Sequence, residues 1–163
     1  MKKKMTKYIY LKCLLSHRYL LLVLLASISL NSKSQETTLV AIGNQSGVPS
    51  TMKLAELKSV LMGEKQRWPN KTKVTVALMH TNTPVGKKTA EVVYNMSVPE
   101  LRKFFALQSL QEGNAQAPQF FNTTSDLQNY VAQNPGAIGV IDQSLANNQI
   151  KTITINGKLQ FNP

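Results

Sequence analysis

The chain has 163 residues, a length typical of one domain, and its 19 basic and 8 acidic residues give a formal net charge of +11. Seven of the basic residues and none of the acidic ones lie in residues 1–34, so the remainder carries only +4, which argues against nucleic-acid binding. Cys13 and His17 also lie in 1–34, leaving no cysteine and one histidine beyond it. A Cys/His zinc cluster, a disulfide and a cysteine nucleophile are therefore excluded there, and no cofactor is predicted.

Residues 1–34 have the pattern of a secretory signal peptide. A basic segment without acidic residues precedes the apolar run Tyr19–Leu30, and small residues stand at the −3 and −1 positions of a cut before Gln35. The run is shorter than the roughly 20 residues that span a bilayer, although an uncleaved membrane anchor is the alternative. We predict a cleaved signal peptide, one exported domain over 35–163, and a periplasmic or secreted location.

The first half of the exported part alternates strands and helices. Thr38–Gly43 is a short apolar run typical of a strand, and the loop Asn44–Pro49 follows it. Lys53–Met62 places leucine and valine at spacings of three and four residues, which predicts a helix. Val74–Met79 is rich in alternating β-branched residues and predicts the central strand.

Three helix starts follow the central strand. Pro84 is favoured at the first position of a helix, and Thr83 before it is suited to the N-cap. A Ser-x-x-Glu capping box at Ser97 begins the second helix. The hydroxyl-rich segment at Thr123 begins the third.

The last third of the chain returns to strands. Ala137–Asp142 is apolar, and Gly139 inside it indicates a close approach by another backbone. Ile150–Phe161 alternates around Asn156 and Gly157, the strongest two-residue signal for a β-hairpin. Strands that alternate with helices predict an α/β fold: a three-layer domain with a mixed sheet and a C-terminal hairpin.

Ligands of open α/β sheets bind beyond the carboxyl ends of strands, which singles out two loops. Thr81, Asn82 and Thr83 lie between the central strand and a helix N-terminus, a general seat for an anion, although turn and capping chemistry needs the same residues. Ser46 and Gly47 follow the first strand. We expect them either to form a second ligand loop that faces the first or to be an ordinary turn.

The remaining candidates each have a plain structural alternative. Lys87 and Lys88 either add positive charge at an anion site or lie on a solvated helix face. His80 has no evident serine or aspartate partner, so no enzyme activity is predicted. Trp68 either packs its segment onto the domain or anchors a partner, and Phe120–Phe121 belongs either to the edge of the core or to an exposed docking patch.

Several segments resemble the phosphate-binding component of bacterial phosphate ABC transporters, and more closely its short, single-lobe relatives. A Leu-x-Gly signature leads to Trp68, and a Pro-Gly-Ala-Ile-Gly sequence is intact at Pro135–Gly139. The likeness covers roughly Leu39–Asp142. Its three main segments are Leu57–Asn70, Ser97–Phe105 and Tyr130–Asp142.

The resemblance implies one lobe of a periplasmic-binding-protein-like fold, whose family members close two α/β lobes on a ligand. It implies an exported, non-enzymatic, solute-binding-like protein that binds phosphate or a similar small oxyanion weakly. The family's phosphate loop carries Ser-Gly-Thr where this chain has Thr81–Pro84, and full-length relatives use a carboxylate to accept a proton from phosphate. Neither Asp126 nor Asp142 lies in a loop aimed at this site.

A second function is compatible with the same lobe. The domain would be an interaction module of the cell envelope that has lost its ligand. Its cleft would then meet a membrane or envelope protein or a second copy of the chain.

Overall fold

The computed structural model describes residues 37–110 and 117–161, which belong to one compact unit, Thr37–Pro163. The predicted signal peptide, its cleavage point and the alternative membrane anchor lie outside the described residues. Within the described ranges, no helix combines the length and the hydropathy that a membrane span requires.

Six strands and four α-helices make up the described part of the unit. The strands are β1 Leu39–Gly43, β2 Thr51–Met52, β3 Thr75–Met79, β4 Gln119–Phe121, β5 Ala137–Asp142 and β6 Lys151–Ile155. The helices are α1 Leu54–Leu61, α2 Pro84–Thr89, α3 Val98–Leu110 and α4 Thr124–Gln133. A π-helical segment, Ala90–Tyr94, continues α2, and a 3₁₀ turn, Gln143–Leu145, follows β5.

The six strands form one mixed sheet in the order β2-β6-β1-β5-β3-β4. Strand β3 runs parallel to β4 and β5, whereas β1 is antiparallel to both of its neighbours, β5 and β6. The mixed sheet predicted from the sequence is therefore confirmed. The short strands β2 and β4 were not predicted, because two or three residues carry too little alternation to be recognised.

Helices cover both faces of the sheet. The connection from β3 to β4 carries α2 and α3, and the connection from β4 to β5 carries α4 in the opposite direction past β3. Because such parallel crossovers are right-handed, opposite directions place the helices on opposite faces. The sheet interior agrees: Leu39, Val40, Ala41 and Ile42 of β1 are all completely buried, as expected for a strand covered on both sides.

The predicted close approach at Gly139 is confirmed. A Cβ atom at this position of β5 would lie 2.8 Å from the carbonyl oxygen of Ala77 in β3 and 3.0 Å from Leu127 in α4. The missing side chain therefore lets α4 pack directly over the β3–β5 pair.

The two sequence signatures of the resemblance meet in space. Trp68 is 2% exposed, and its indole Nε1 donates a hydrogen bond of 2.8 Å to the carbonyl oxygen of Gly136. Gly136 has φ +79°, and a Cβ there would lie 2.3 Å from the carbonyl oxygen of Lys73. Trp68 thus packs its segment onto the start of β5, which confirms the packing interpretation and excludes an exposed anchor.

The C-terminal hairpin is confirmed only at its turn. Asn156 and Gly157 both have positive φ, and Ile155 exchanges backbone hydrogen bonds with Lys158 across them. Up to Phe161, where the description ends, no second strand follows. Instead the tail bends to pair with the start of β1, where Gln160 bridges Val40, because β6 pairs only with the later residues of β1.

Two glycines with the same φ of +79°, Gly136 and Gly157, test the packing at the start of β5. An added Cβ meets the Lys73 carbonyl at Gly136, but nothing within 4 Å at Gly157. We expect Gly157→Ala to lower the free energy of unfolding by about 1–2 kcal/mol, because alanine must adopt the left-handed backbone conformation. Gly136→Ala should cost about 2 kcal/mol more, because backbone must move. Urea denaturation of both variants measures the difference, and equal losses would contradict the packing described.

Candidate functional site

The two predicted ligand loops lie at opposite ends of the sheet. Strand β1 is antiparallel to β5, and β5 is parallel to β3, so the loop after β1 reaches the end where β3 and β5 begin. Gly136 N donates to Ser46 O at that end. Five residues of strand separate it from Thr81–Thr83 by roughly 15 Å. The prediction that the loops face each other is wrong, because the alternation of strands and helices does not give the direction of β1.

The Ser46–Gly47 loop is built as a structural turn. The Asn44 side chain, 5% exposed, accepts from Ser46 N and donates to the carbonyl oxygens of Val131 and Ala132, each at 2.8 Å. These carbonyls belong to the last turn of α4, which has no intrahelical donors left for them. Gly47, with φ +88°, completes the turn. The loop therefore ties β1 to α4.

Thr83 is the N-cap of α2. Its Oγ1 accepts from Gly86 N at 3.0 Å and donates to His80 O at 2.7 Å. Pro84 at the first helical position has no N–H, as predicted. A Cβ on Gly86 would lie 2.1 Å from His80 O, so this glycine lets the helix press against the strand end. The Thr83 hydroxyl is thus used by the fold.

Thr81 lies on the other side of this turn and contacts a residue that the sequence analysis missed. The residue is 8% exposed, and its Oγ1 accepts a 2.9 Å hydrogen bond from Nε of Arg102, an exposed residue of α3. The bond fixes the guanidinium and leaves both Nη groups as further donors. A sequence signal existed: Arg102 and Phe105 are three residues apart and so share a helix face.

A cavity of about 340 Å³ opens at this point. The loop after β3 enters α2 on one face of the sheet, and the loop after β4 enters α4 on the other. Their divergence leaves a crevice at the carboxyl ends of the two strands, the usual ligand position in open α/β sheets. The described lining residues are His80, Thr81, Asn82, Arg102, Phe105 and Phe120.

The inner wall of the cavity is aromatic. The Phe105 and Phe120 rings meet edge to face, 5.4 Å apart, and the His80 ring stacks on Phe120 at 5.4 Å and 27°. Phe121 points away and packs on Tyr130, with ring centroids 5.2 Å apart. Phe120 and Phe121 are both half-buried. Phe120 therefore lines the cavity, whereas Phe121 belongs to the edge of the core.

Arg102 is the only cation among the described residues that line the cavity. Lys87 is exposed and Lys88 half-buried on α2, and neither lines it. The structure thus brings Thr81 and Asn82 together with Arg102, and leaves both lysines outside the lining. Among the described residues, no group of three His, Cys, Asp or Glu could hold a metal ion.

Solved structures match the fold. An ABC-type phosphate transport receptor from Vibrio cholerae has a TM-score of 0.60 at 14% identity, covering 76% of this chain and 48% of the receptor. A putative phosphate ABC transporter substrate-binding protein with bound phosphate from Clostridium perfringens gives 0.59 at 14%, covering 74% and 46%. PstS from Borrelia burgdorferi gives 0.57 at 13%, covering 74% and 48%. This chain has their fold.

The chain spans about half the length of the phosphate receptors it matches. The resemblance to phosphate-binding proteins is therefore confirmed in the fold, over a length consistent with a short relative. At the level of sequence, no family model matches the chain, and no curated protein matches it.

Replacing each of two matched N-caps tests how Thr83 is used. Thr123 caps α4 as Thr83 caps α2, accepting from Asp126 N at 3.1 Å. We expect Thr83→Ala and Thr123→Ala each to lower the free energy of unfolding by about 1 kcal/mol. Each change also removes a bond that the hydroxyl donates, to His80 O from Thr83 and to Asp126 Oδ2 from Thr123. Thr83→Ala should lose more, because the bonds of Thr83 are partly buried and those of Thr123 are exposed. Urea denaturation without added anion measures both free energies of unfolding. A Thr83→Ala variant as stable as the unaltered protein would contradict the capping role.

Proposed function

We propose that the exported domain is a non-enzymatic, solute-binding-like protein that binds a small oxyanion, such as phosphate, weakly in the cavity beside Thr81. The observation that carries the proposal is that Arg102, an exposed residue, has its guanidinium held at the cavity by Thr81 Oγ1 at 2.9 Å. The fold shared with phosphate receptors supports it.

The polar groups of the cavity suit an anion. Because Thr81 Oγ1 accepts from Arg102, its own proton is available to a ligand. The two Nη groups of Arg102 can donate in parallel to two oxygens of a phosphate or carboxylate. Asn82 is exposed at the rim and adds amide donors.

The other predicted residues take lesser parts. Thr83 shapes the turn rather than donating to the ligand, and Lys87 and Lys88 contribute only to the surrounding positive field. Ser46 and Gly47, at the far end of the sheet, are not included. One cation in an open crevice gives a weak site, because charge interactions near water are small.

Arg102 and its neighbour Lys103 provide a matched test in the fragment 35–163, which contains the whole compact unit. Both are exposed, but only Arg102 lines the cavity. With a Kd of ~1 mM, ~10 mM phosphate should stabilise the fragment by about 1.4 kcal/mol. Arg102→Gln should weaken binding roughly tenfold or more, since a charge-assisted hydrogen bond is lost, whereas Lys103→Gln should not.

Thermal unfolding and calorimetry at constant ionic strength measure these effects. The absence of any phosphate-dependent change, or equal losses in the two variants, would overturn the proposed site. Either result would favour the second function, an interaction module of the cell envelope. The exposed leucines of α3 support that function: Leu107 is 53% and Leu110 is 76% exposed. Sedimentation of the same fragment shows whether two copies associate.

Export is tested separately from ligand binding. We expect the protein recovered outside the cytoplasm to begin at Gln35, because small residues precede this position after the apolar run. N-terminal sequencing and intact mass measure the start. A full-length chain in the membrane fraction would support the uncleaved anchor instead.

A further inference from the structure

We infer that the cavity beside Arg102 takes an aromatic acid, a planar ring that carries a carboxylate, in preference to an inorganic oxyanion. This inference rests on the proposed function, because it uses the same guanidinium. It adds the part of the cavity that an inorganic anion would not use.

The size of the cavity favours an organic ligand. The cavity measures about 340 Å³, within the range of about 300–1,000 Å³ typical of sites for organic ligands. A small oxyanion held at Arg102 would leave most of this volume to water. A six-membered ring bearing one carboxylate would fill much more of it.

The aromatic wall of the cavity favours a planar ring. Phe105 and Phe120 lie edge to face, and the His80 ring stacks on Phe120, so three rings form one side of the cavity. Phe105 is 8% exposed, whereas Phe120 is only half-buried and presents ring surface to the cavity. Aromatic pairs in offset or edge-to-face geometry are favourable beyond their buried area. A planar apolar group therefore has a surface to pack on.

The charge pattern of the cavity favours a carboxylate. No carboxylate is present among the described residues of the lining, and Arg102 supplies donors only. Inorganic phosphate keeps at least one O–H group at neutral pH and finds no charged acceptor among the described lining residues. A carboxylate is fully ionised at neutral pH and needs only donors. The planar guanidinium matches its two oxygens.

The positions of the two features fit one molecule. Arg102 and Phe105 are three residues apart on α3 and line the same cavity, so the guanidinium and the aromatic wall are adjacent. Thr81 holds Arg102 at Nε, which directs the remaining donors of the guanidinium without consuming them. An acid group at the rim would leave its ring facing Phe120.

Benzoate is the probe, with acetate as a carboxylate without a ring and benzyl alcohol as a ring without a charge. We expect the fragment 35–163 to bind benzoate about tenfold or more tightly than acetate, because apolar ring surface is buried. Benzyl alcohol should bind more weakly than benzoate. NMR titration at constant ionic strength measures all three, together with inorganic phosphate.

Phe120 and Phe121 supply the matched variants. Phe120→Leu should reduce the preference for benzoate over acetate several-fold, whereas Phe121→Leu, on the other side of β4, should leave it unchanged. Arg102→Gln should weaken both carboxylates. Amide spectra report whether each variant is folded, and the comparison of ligands on the unaltered fragment decides the question if Phe120→Leu does not fold.

The outcomes separate this inference from the proposed function. Equal affinity for benzoate and acetate, with phosphate still bound in an Arg102-dependent way, would overturn the aromatic acid and leave the oxyanion site. Benzyl alcohol or inorganic phosphate binding as tightly as benzoate would overturn it as well. No binding of any anion would overturn both.

Discussion

The site depends on how closely α2 approaches the end of β3. Gly86 allows this contact, since any larger residue would place an atom 2.1 Å from His80 O. The Thr83 cap then closes the turn with bonds to His80 O and Gly86 N. With the turn fixed, Thr81 is held where its hydroxyl meets Arg102 of α3. The contact between Gly86 of α2 and the backbone of His80 thus determines, through Thr81, where the guanidinium of Arg102 on α3 is held.

Because β1 runs antiparallel to β5 and β3, the loops that follow these strands lie at opposite ends of the sheet, and the two ends differ in their contacts. At the end where β3 and β5 begin, side-chain hydrogen bonds connect the elements of the domain. The chief ones run from Trp68 to the Gly136 carbonyl and from Asn44 to the last carbonyls of α4. At the other end, the loops after β3 and β4 diverge and leave a cavity. The two sequence signatures of the resemblance, at Trp68 and at Pro135–Gly139, lie at the end of the sheet where β3 and β5 begin, away from the cavity. They therefore indicate the fold and say little about the ligand.

Local signals in the sequence predicted most elements, and long-range packing determined the rest. Caps such as Thr83 and turns such as Asn156–Gly157 are encoded by neighbouring residues, so their positions could be recognised. The direction of β1 depends on contacts with β5, about a hundred residues away in sequence, and the alternation pattern is the same for either direction. Arg102 was missed for the same reason: its spacing from Phe105 indicates only a shared helix face, and its place at the site depends on the contact with Thr81, 21 residues away in sequence.

The open crevice affects a charge and an apolar surface differently. At physiological ionic strength the Debye length is about 8 Å, so an exposed guanidinium attracts a distant anion little and holds a bound one weakly. Ring burial is not screened by salt and scales with the apolar area removed from water. Because Arg102 is an exposed residue, the aromatic wall of Phe105 and Phe120 is the part of the site whose contribution persists in salt. In the proposed site, weak charge recognition combined with apolar contact therefore favours an organic anion over an inorganic one.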